Sequence, residues 1–530
     1  MEKRTIMALA IAFLVMAFYP TVLEHFYPGY GQNARQHQQP QATTSAAPSE
    51  PQLVKAADTG PAPAMPSSAG ASQSFDTKKL NLVFYPEQAV IRRLGFTAYK
   101  LSILESNDAA LSPLYLDFLK SPGEPGAYAL DLTDPLTVRA VAATPALSVT
   151  KSLVFKKDAY DALLSVRLEN TSDAPQTLQY RVLVAPSIPP RGSIDQQYIE
   201  ANFCAQDNQI RHIRESKAGK QVPSGAPVRW VAMKDRHFAV ILRPLDGKFH
   251  GLVEGHGKNR FAAWLVSPEF TLAPRESREE RFVLYAGPAD AETLAPLGLD
   301  GIVNFGKLDG IGKIMVGLLE ILNKVFRNYG VSIIMLTVLI NILLFPLTRA
   351  SYMSMKRMQL IQPQMAKLKE KHGKNPQKLN QEMMELYKKH KVNPFGGCLP
   401  MLLQMPVFIA LYVALSKAVI LRGSRFLWIH DLSSPDVVPL PVRVPFIGEE
   451  IHLLPIIMCV AMVLQQKFTQ VKIEGQDPQI EAQQRMMTAI MPVMFLFIFY
   501  TMPSGLVLYW LTNTLLMASY QLRLKRMTLT

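Results

Sequence analysis

Between Val331 and Pro406 the chain passes through four elements whose order restricts its fold more than any other feature. An apolar span, Val331 to Thr348, carries Thr337 and Asn341 inside it. A strongly basic amphipathic stretch follows, Arg349 to Lys391, then a turn-rich NPFGGCLP at 393–400 and a second apolar run, Met401 to Leu421. At 1.5 Å of rise per residue, Asn341 lies about 12 Å inside the Arg349 end of a spanning helix. A polar group at that depth is costly in hydrocarbon and marks a functional-site candidate. The pattern is that of a membrane protein whose chemistry rests on polar groups held where lipid tails would otherwise pack.

The length of 530 residues predicts two or three units rather than one domain. Methionine separates two unlike halves, since 18 of the 24 follow residue 330. A formal charge of +14 would fit a nucleic-acid binder. However, residues 349–398 alone hold eleven Lys/Arg against three Glu, between two apolar spans. That is the positive-inside pattern of a cytoplasmic loop, so DNA is set aside as a partner, while ribosomal surface and anionic lipid stay open. Cys398 and Cys459 border or sit in apolar spans, which leaves Cys204 alone in the large polar region with no intradomain disulfide to form.

The N-terminus places Lys3 and Arg4 before the apolar run Ile6 to Phe18, with no small-x-small cleavage site after it. This predicts an uncleaved signal-anchor over 1–24. Residues 25–77, rich in Gln, Pro, Ala and Ser, read as a disordered linker. From 78 to 300 the pattern becomes period two, in NLVFY at 81–85, LYLDFL at 114–119, ALLSVRLEN at 162–170, TLQYRVLVA at 177–185, FAVILRP at 238–244 and RFVLYA at 281–286. Such runs predict a large all-β sandwich. Residues 305–330 return to helical period, with Ile311, Ile314, Met315, Leu318, Leu322, Val325, Phe326 and Tyr329 on one face. An amphipathic helix of this kind lies in the membrane interface or packs on its own β domain. The core, 331–522, holds spans at about 331–348, 401–421, 452–469, 487–502 and 505–520, six in all with the anchor. The Lys/Arg bias puts both termini, the 350–392 hairpin and the basic 523–530 tail in the cytoplasm, and the β domain outside.

The basic segment reads as two helices, with Met358, Ile361, Met365 and Leu368 striped along the first and Leu379, Met383, Leu386 and His390 along the second. Gly373 ends the first helix, Asn375 caps the second and Pro376 opens it, which predicts an antiparallel cytoplasmic hairpin. Pro363 is expected to kink or loosen the first helix. Met358, Met365, Met383 and Met384 are candidates for contact with apolar clients, because flexible methionine accepts varied partners; gap filling inside the hairpin is the plainer use. In the spans, Thr337 and Asn341 share a face at i and i+4, Gln404 lies one turn into its span, and Tyr509, Thr512 and Asn513 follow the Ser504-Gly505 turn. Each of the six can be interhelical glue, or together they can line a hydrated groove. Near mid-depth the spans carry no Asp or Glu, which argues against proton pumping. No HExxH, no P-loop and no paired Ser and His point to an enzyme, and no cofactor is implied.

The ordered motifs FPLTRA at 345–350, QEMMELYKKHKVNPFGGCLPMLLQMP at 381–406, LWIHDLS at 427–433 and MPSGLVLYW at 502–510 resemble the YidC/Oxa1/Alb3 membrane protein insertases over residues 305–522. The outer β domain and first anchor are similar to the Gram-negative bacterial branch. The resemblance implies a multi-pass α-helical inner-membrane protein with a five-helix insertase core, an anchor helix and a periplasmic β-supersandwich. It also implies ATP-independent insertion and folding of nascent membrane proteins through a hydrophilic groove, alone or with the Sec translocon (SecYEG/SecDF type). The family's groove Thr and Tyr map onto Thr337 and Tyr509. Where the family usually carries a groove Arg or Lys, this chain has Asn341, and its nearest cation is Arg349, two turns toward the cytoplasm. Two other classes stand beside this one. A scaffold or assembly chaperone would not need polar residues on three spans, and a transporter would more often show broken helices or inverted repeats.

Overall fold

The structure is a computed structural model, and it describes residues 72–123, 125–191, 195–214, 219–257, 260–303, 309–372, 375–390, 399–444, 448–469 and 490–527. The expected N-terminal anchor, most of the linker, the turn through Cys398 and the last three residues of the tail lie outside the described residues.

The period-two runs become strands at close to their expected bounds. Phe238–Pro244 forms over the expected range, while RFVLYA lies within the longer Ser277–Pro288. Strand Leu147–Phe155 alternates buried and half-exposed positions along its length, because successive side chains point to opposite faces. A four-stranded antiparallel sheet starts with Gln73–Asp76, which pairs with Leu80–Tyr85, so the linker expected to reach residue 77 stops short of it. The second sheet has 14 strands, and its middle runs Gln221–Lys234, Phe238–Pro244, Ser277–Pro288, Asp161–Asn170, Leu147–Phe155, Thr137–Ala143.

Gln221–Lys234 changes partners along its length. Its first half pairs with His250–Gly257 and its second half with Phe238–Pro244. The register shift falls at Pro223 to Pro227, where two prolines cannot donate and Gly225 takes a φ of 80°. Phe96 of the small sheet stacks on Phe238 of the large one at 4.7 Å, so the two share one aromatic core.

Seven α-helices follow among the described residues: α1 Asp309–Phe326, α2 Tyr329–His372, α3 Pro376–Lys389, α4 Leu399–Lys417, α5 Leu453–Thr469, α6 Ile490–Tyr500 and α7 Ser504–Met527. Of these, the Tyr329–Ser351 part of α2 is long and apolar enough to cross a membrane, and α4, α5 and α6 contain shorter apolar helical stretches. α2 is one continuous helix of 44 residues, so the expected first span and first hairpin arm are a single rod of about 66 Å. It runs through Pro346 and Pro363 without ending, so any kink or loosening at Pro363 leaves the helix continuous. Both prolines lie on exposed positions.

α1 packs against α2 and α4 with a split apolar surface. Leu319 is buried, with Met315, Leu318 and Leu322 beside it, whereas Ile314, Ile321 and Val325 stay exposed. The single face expected for this helix is therefore two stripes, one against protein and one exposed among the described residues.

Candidate functional site

α7 touches α2, α4 and α5, and one of its faces carries Tyr509, Thr512 and Asn513 at spacings of three and four. Asn341 of α2 donates its Nδ2 to Asn513 Oδ1 and to the Thr337 carbonyl, both at 2.9 Å. Gln404 of α4 donates Nε2 to the Tyr509 hydroxyl at 2.5 Å. Four of the six expected residues thus meet in two cross-helix pairs that form a polar seam between α2, α4 and α7. The other two are used differently. Thr337 and Thr512 return their hydroxyls to their own helices, onto the Ile333 and Leu508 carbonyls at 2.7 and 2.8 Å. Thr337 and Tyr509 are buried, while Asn341, Gln404, Thr512 and Asn513 are half-exposed.

At the Ser504 end of the seam, hydrogen bonds tie the first turn of α7 to a loop. The first amides of α7 have no partners within the helix. Ser504 N donates to the Ser434 carbonyl at 2.8 Å and Gly505 N to the Leu432 carbonyl at 2.9 Å, while Ser504 Oγ reaches the Asp431 carbonyl at 3.0 Å. Asp431 fixes this loop by accepting from Ser433 N and Oγ at 2.8 and 2.7 Å. A Cβ on residue 505 would stand 3.0 Å from the Leu432 carbonyl, which accounts for glycine there. The Asp431–Ser434 loop was missed as a site on sequence. Its one signal is Asp followed two residues later by Ser, which favours a side-chain-fixed turn.

At the other end of α2's apolar half, Ile342, Leu343 and Phe345 are exposed. Arg349 is exposed as well, two turns from Asn341. Large apolar side chains without protein cover need a lipid or a client surface.

The two arms of the hairpin meet antiparallel. Tyr387 lies opposite Met365, its hydroxyl 3.9 Å from the sulfur, and His390 lies opposite Gln364 at 3.2 Å. Asn375 caps α3 by accepting from Lys378 N at 3.1 Å. Met358, Met365 and Met383 are half-buried, whereas Met384 is 52% and Leu360 71% exposed, so the open apolar positions are not the ones most regularly striped.

Comparison with known proteins places these parts. The 60Kd inner membrane protein family matches residues 321–529, and the YidC periplasmic domain family matches residues 121–318. The membrane protein insertase YidC of Cupriavidus pinatubonensis is 36% identical over 417 residues, 76% of this chain and 71% of that protein. That of Geobacter metallireducens is 31% identical over 543 residues, covering 97% of each. A crystal structure of an active YidC insertase with its first transmembrane domain resolved aligns over 85% of this chain and 92% of that one, at 19% identity and a TM-score of 0.39.

Proposed function

Because the chain belongs to the YidC family of membrane protein insertases, we propose that the seam between α2, α4 and α7 is the groove through which it inserts its clients. The family is one of inner-membrane insertases rather than a catalytic class, and its substrates are membrane proteins. The observation that carries the groove reading is the asymmetry of the seam. Half-exposed amides line it, its Ser504 end is tied shut by the Asp431–Ser434 loop, and its Arg349 end is flanked by exposed apolar side chains.

That asymmetry suits insertion without a nucleotide. A client's polar segment costs several kcal/mol per unsatisfied group in hydrocarbon. Water and amides at half depth shorten the path on which that cost applies. The client's own apolar segment supplies the rest, at about 0.6 kcal/mol for a Leu-like residue. Asn341, Gln404, Thr512 and Asn513 act as the wetted wall, with Thr337 and Tyr509 packed behind them. The hairpin of α2 and α3 meets clients first, through exposed positions such as Met384. Six spans, cytoplasmic termini and an outer β domain complete the arrangement, with the exposed stripe of α1 lying in the outer interface. The Sec translocon and, through the basic cytoplasmic segments, the ribosome are the proposed partners.

Reconstitution of the pure protein in liposomes tests this reading. A short single-span client should insert without nucleotide, and Asn341→Leu with Gln404→Leu should slow it severalfold. Unchanged insertion in that variant would remove the seam from the mechanism.

A further inference from the structure

The turn Asp235-Arg236-His237 joins strand Gln221–Lys234 to strand Phe238–Pro244, and four consecutive charged or titratable residues, Lys234 to His237, are all buried. The turn is rigid, because Asp235 Oδ1 accepts from His237 N and Phe238 N, each at 2.7 Å. It delivers Arg236 out of the β domain and into the helical core. There the guanidinium donates Nε to the Ser416 carbonyl in the last turn of α4 and Nη2 to the Ser433 carbonyl at 2.8 Å. Its third nitrogen faces Asp195, with Nη1 at 3.6 Å from the carboxylate.

Neither core acceptor is arbitrary. Ser416 lies where α4 runs out of intrahelical donors for its carbonyls. Ser433 lies within the loop whose neighbouring carbonyls, at 431, 432 and 434, hold the first turn of α7. Tyr509 follows Ser504 by five residues, about 7.5 Å along the helix.

We propose that Arg236 is a positioning residue of the insertase: it braces the loop that seals the groove on the side of the β domain, so that water entering from the opposite side stops at the seal. The inference rests on the groove reading of the seam. The planar fork is what the role requires, since two carbonyls on different elements are held in fixed directions by one side chain. A lysine reaches either carbonyl as a point donor and fixes neither direction.

The test uses the full-length protein in right-side-out and inverted vesicles, with Cys204, Cys398 and Cys459 replaced by Ser and Asn513→Cys as the probe for a membrane-impermeant maleimide. With Arg236 intact, the probe should label from the cytoplasmic face and be at least tenfold slower from the outer face. Arg236→Ala should raise outer-face labelling about tenfold and leave cytoplasmic labelling unchanged. Arg236→Lys should fall between the two, and it carries the test if the alanine variant does not accumulate. Outer labelling that stays slow in both variants would overturn the brace, and so would labelling that rises equally from both faces, which marks general loosening. Failure of the probe to label from the cytoplasmic face with Arg236 intact would instead refute the groove.

Discussion

Asn341 and Asn513 distinguish a wet groove from dry interhelical packing, because their bond has a different value in each. Asn341→Leu removes both donors of the Asn341 amide and strips Asn513 Oδ1 of its partner across 2.9 Å. In a seam without water, the half-exposed Asn513 carboxamide would lose its bond outright, at a cost of about 1–3 kcal/mol. In a hydrated seam, water takes the vacated place and the pair is worth less than the about 0.6 kcal/mol that packed interhelical bonds average in membranes. The assay is a double-mutant cycle on Asn341→Leu and Asn513→Leu, read by reversible unfolding in mixed micelles. A coupling below about 0.5 kcal/mol is expected, beneath the about 0.5–3 kcal/mol by which contact pairs otherwise couple. Insertion of a client with a neutral polar tail should nonetheless slow about threefold in each single variant, the factor equivalent to about 0.6 kcal/mol. A coupling of about 0.6 kcal/mol or more, with insertion unaffected, would show that the pair is structural glue and that the groove argument is wrong.

Exchanging the amide for a cation is the converse test: Asn341→Arg should be tolerated, because a long side chain can reach toward the Arg349 end, and a gain above fivefold for acidic tails in a liposome assay would make charge the operative feature. In the hairpin, Met384→Ser should reduce crosslinking to clients without destabilising the fold, whereas Met365→Ser, at the contact with Tyr387, should loosen the two arms in protease-sensitivity measurements. Native Cys204 is 3% exposed and should stay unlabelled by outer thiol reagents until the β domain unfolds, while Lys100→Cys, on an exposed turn, should label at once. Burial pushes the Lys151 ammonium down to about 7. The unfolded chain therefore holds the extra proton above that pH, and stability should rise from pH 7 toward 10; the rise in Tm should flatten in Lys151→Met.

The parts of this molecule that were legible in the sequence are those fixed by near neighbours. Strand Phe238–Pro244 and helix α3 emerge at nearly the expected bounds because a short β-branched and apolar run, buried on both faces, and the Asn375 cap and Pro376 act within a few residues. The seam was legible as a set of polar types at suspicious depth, but not as pairs. Asn341 and Asn513 are 172 positions apart, and nothing in either span says which amide answers which. α1 was half legible. Its apolar residues occupy more than one face, and a hydrophobic stripe looks the same whether protein or lipid will cover it, so buried Leu319 went unremarked while exposed Ile314 and Val325 were expected to share one face with Met315. The joining of span and hairpin arm into one helix was also hidden, since the change from apolar to basic residues near Arg349 alters the surroundings of the helix without ending it.

The segment Lys234–His237 was the least legible, for a reason that bears on how the machine holds together. These four charged or titratable residues in a row carried no signal that singled them out on sequence, yet all are buried, and Arg236 finds its acceptors in the helical core. Burying them is tolerable only where partners await, and burial with Arg236 and Arg422 alongside holds His237 uncharged, well below its usual range. Arg236 instead spends its charge on core carbonyls. The proposed groove and its proposed seal thus use opposite chemistry. At Asn341 and Asn513, neutral amides make bonds that water or a client's backbone can replace at little net cost. At Arg236, a charge-assisted fork in a dry setting makes bonds that nothing small can replace. An insertase that uses no nucleotide needs both: a wall that exchanges partners readily where the client passes, and a stop that does not exchange where the membrane must stay closed.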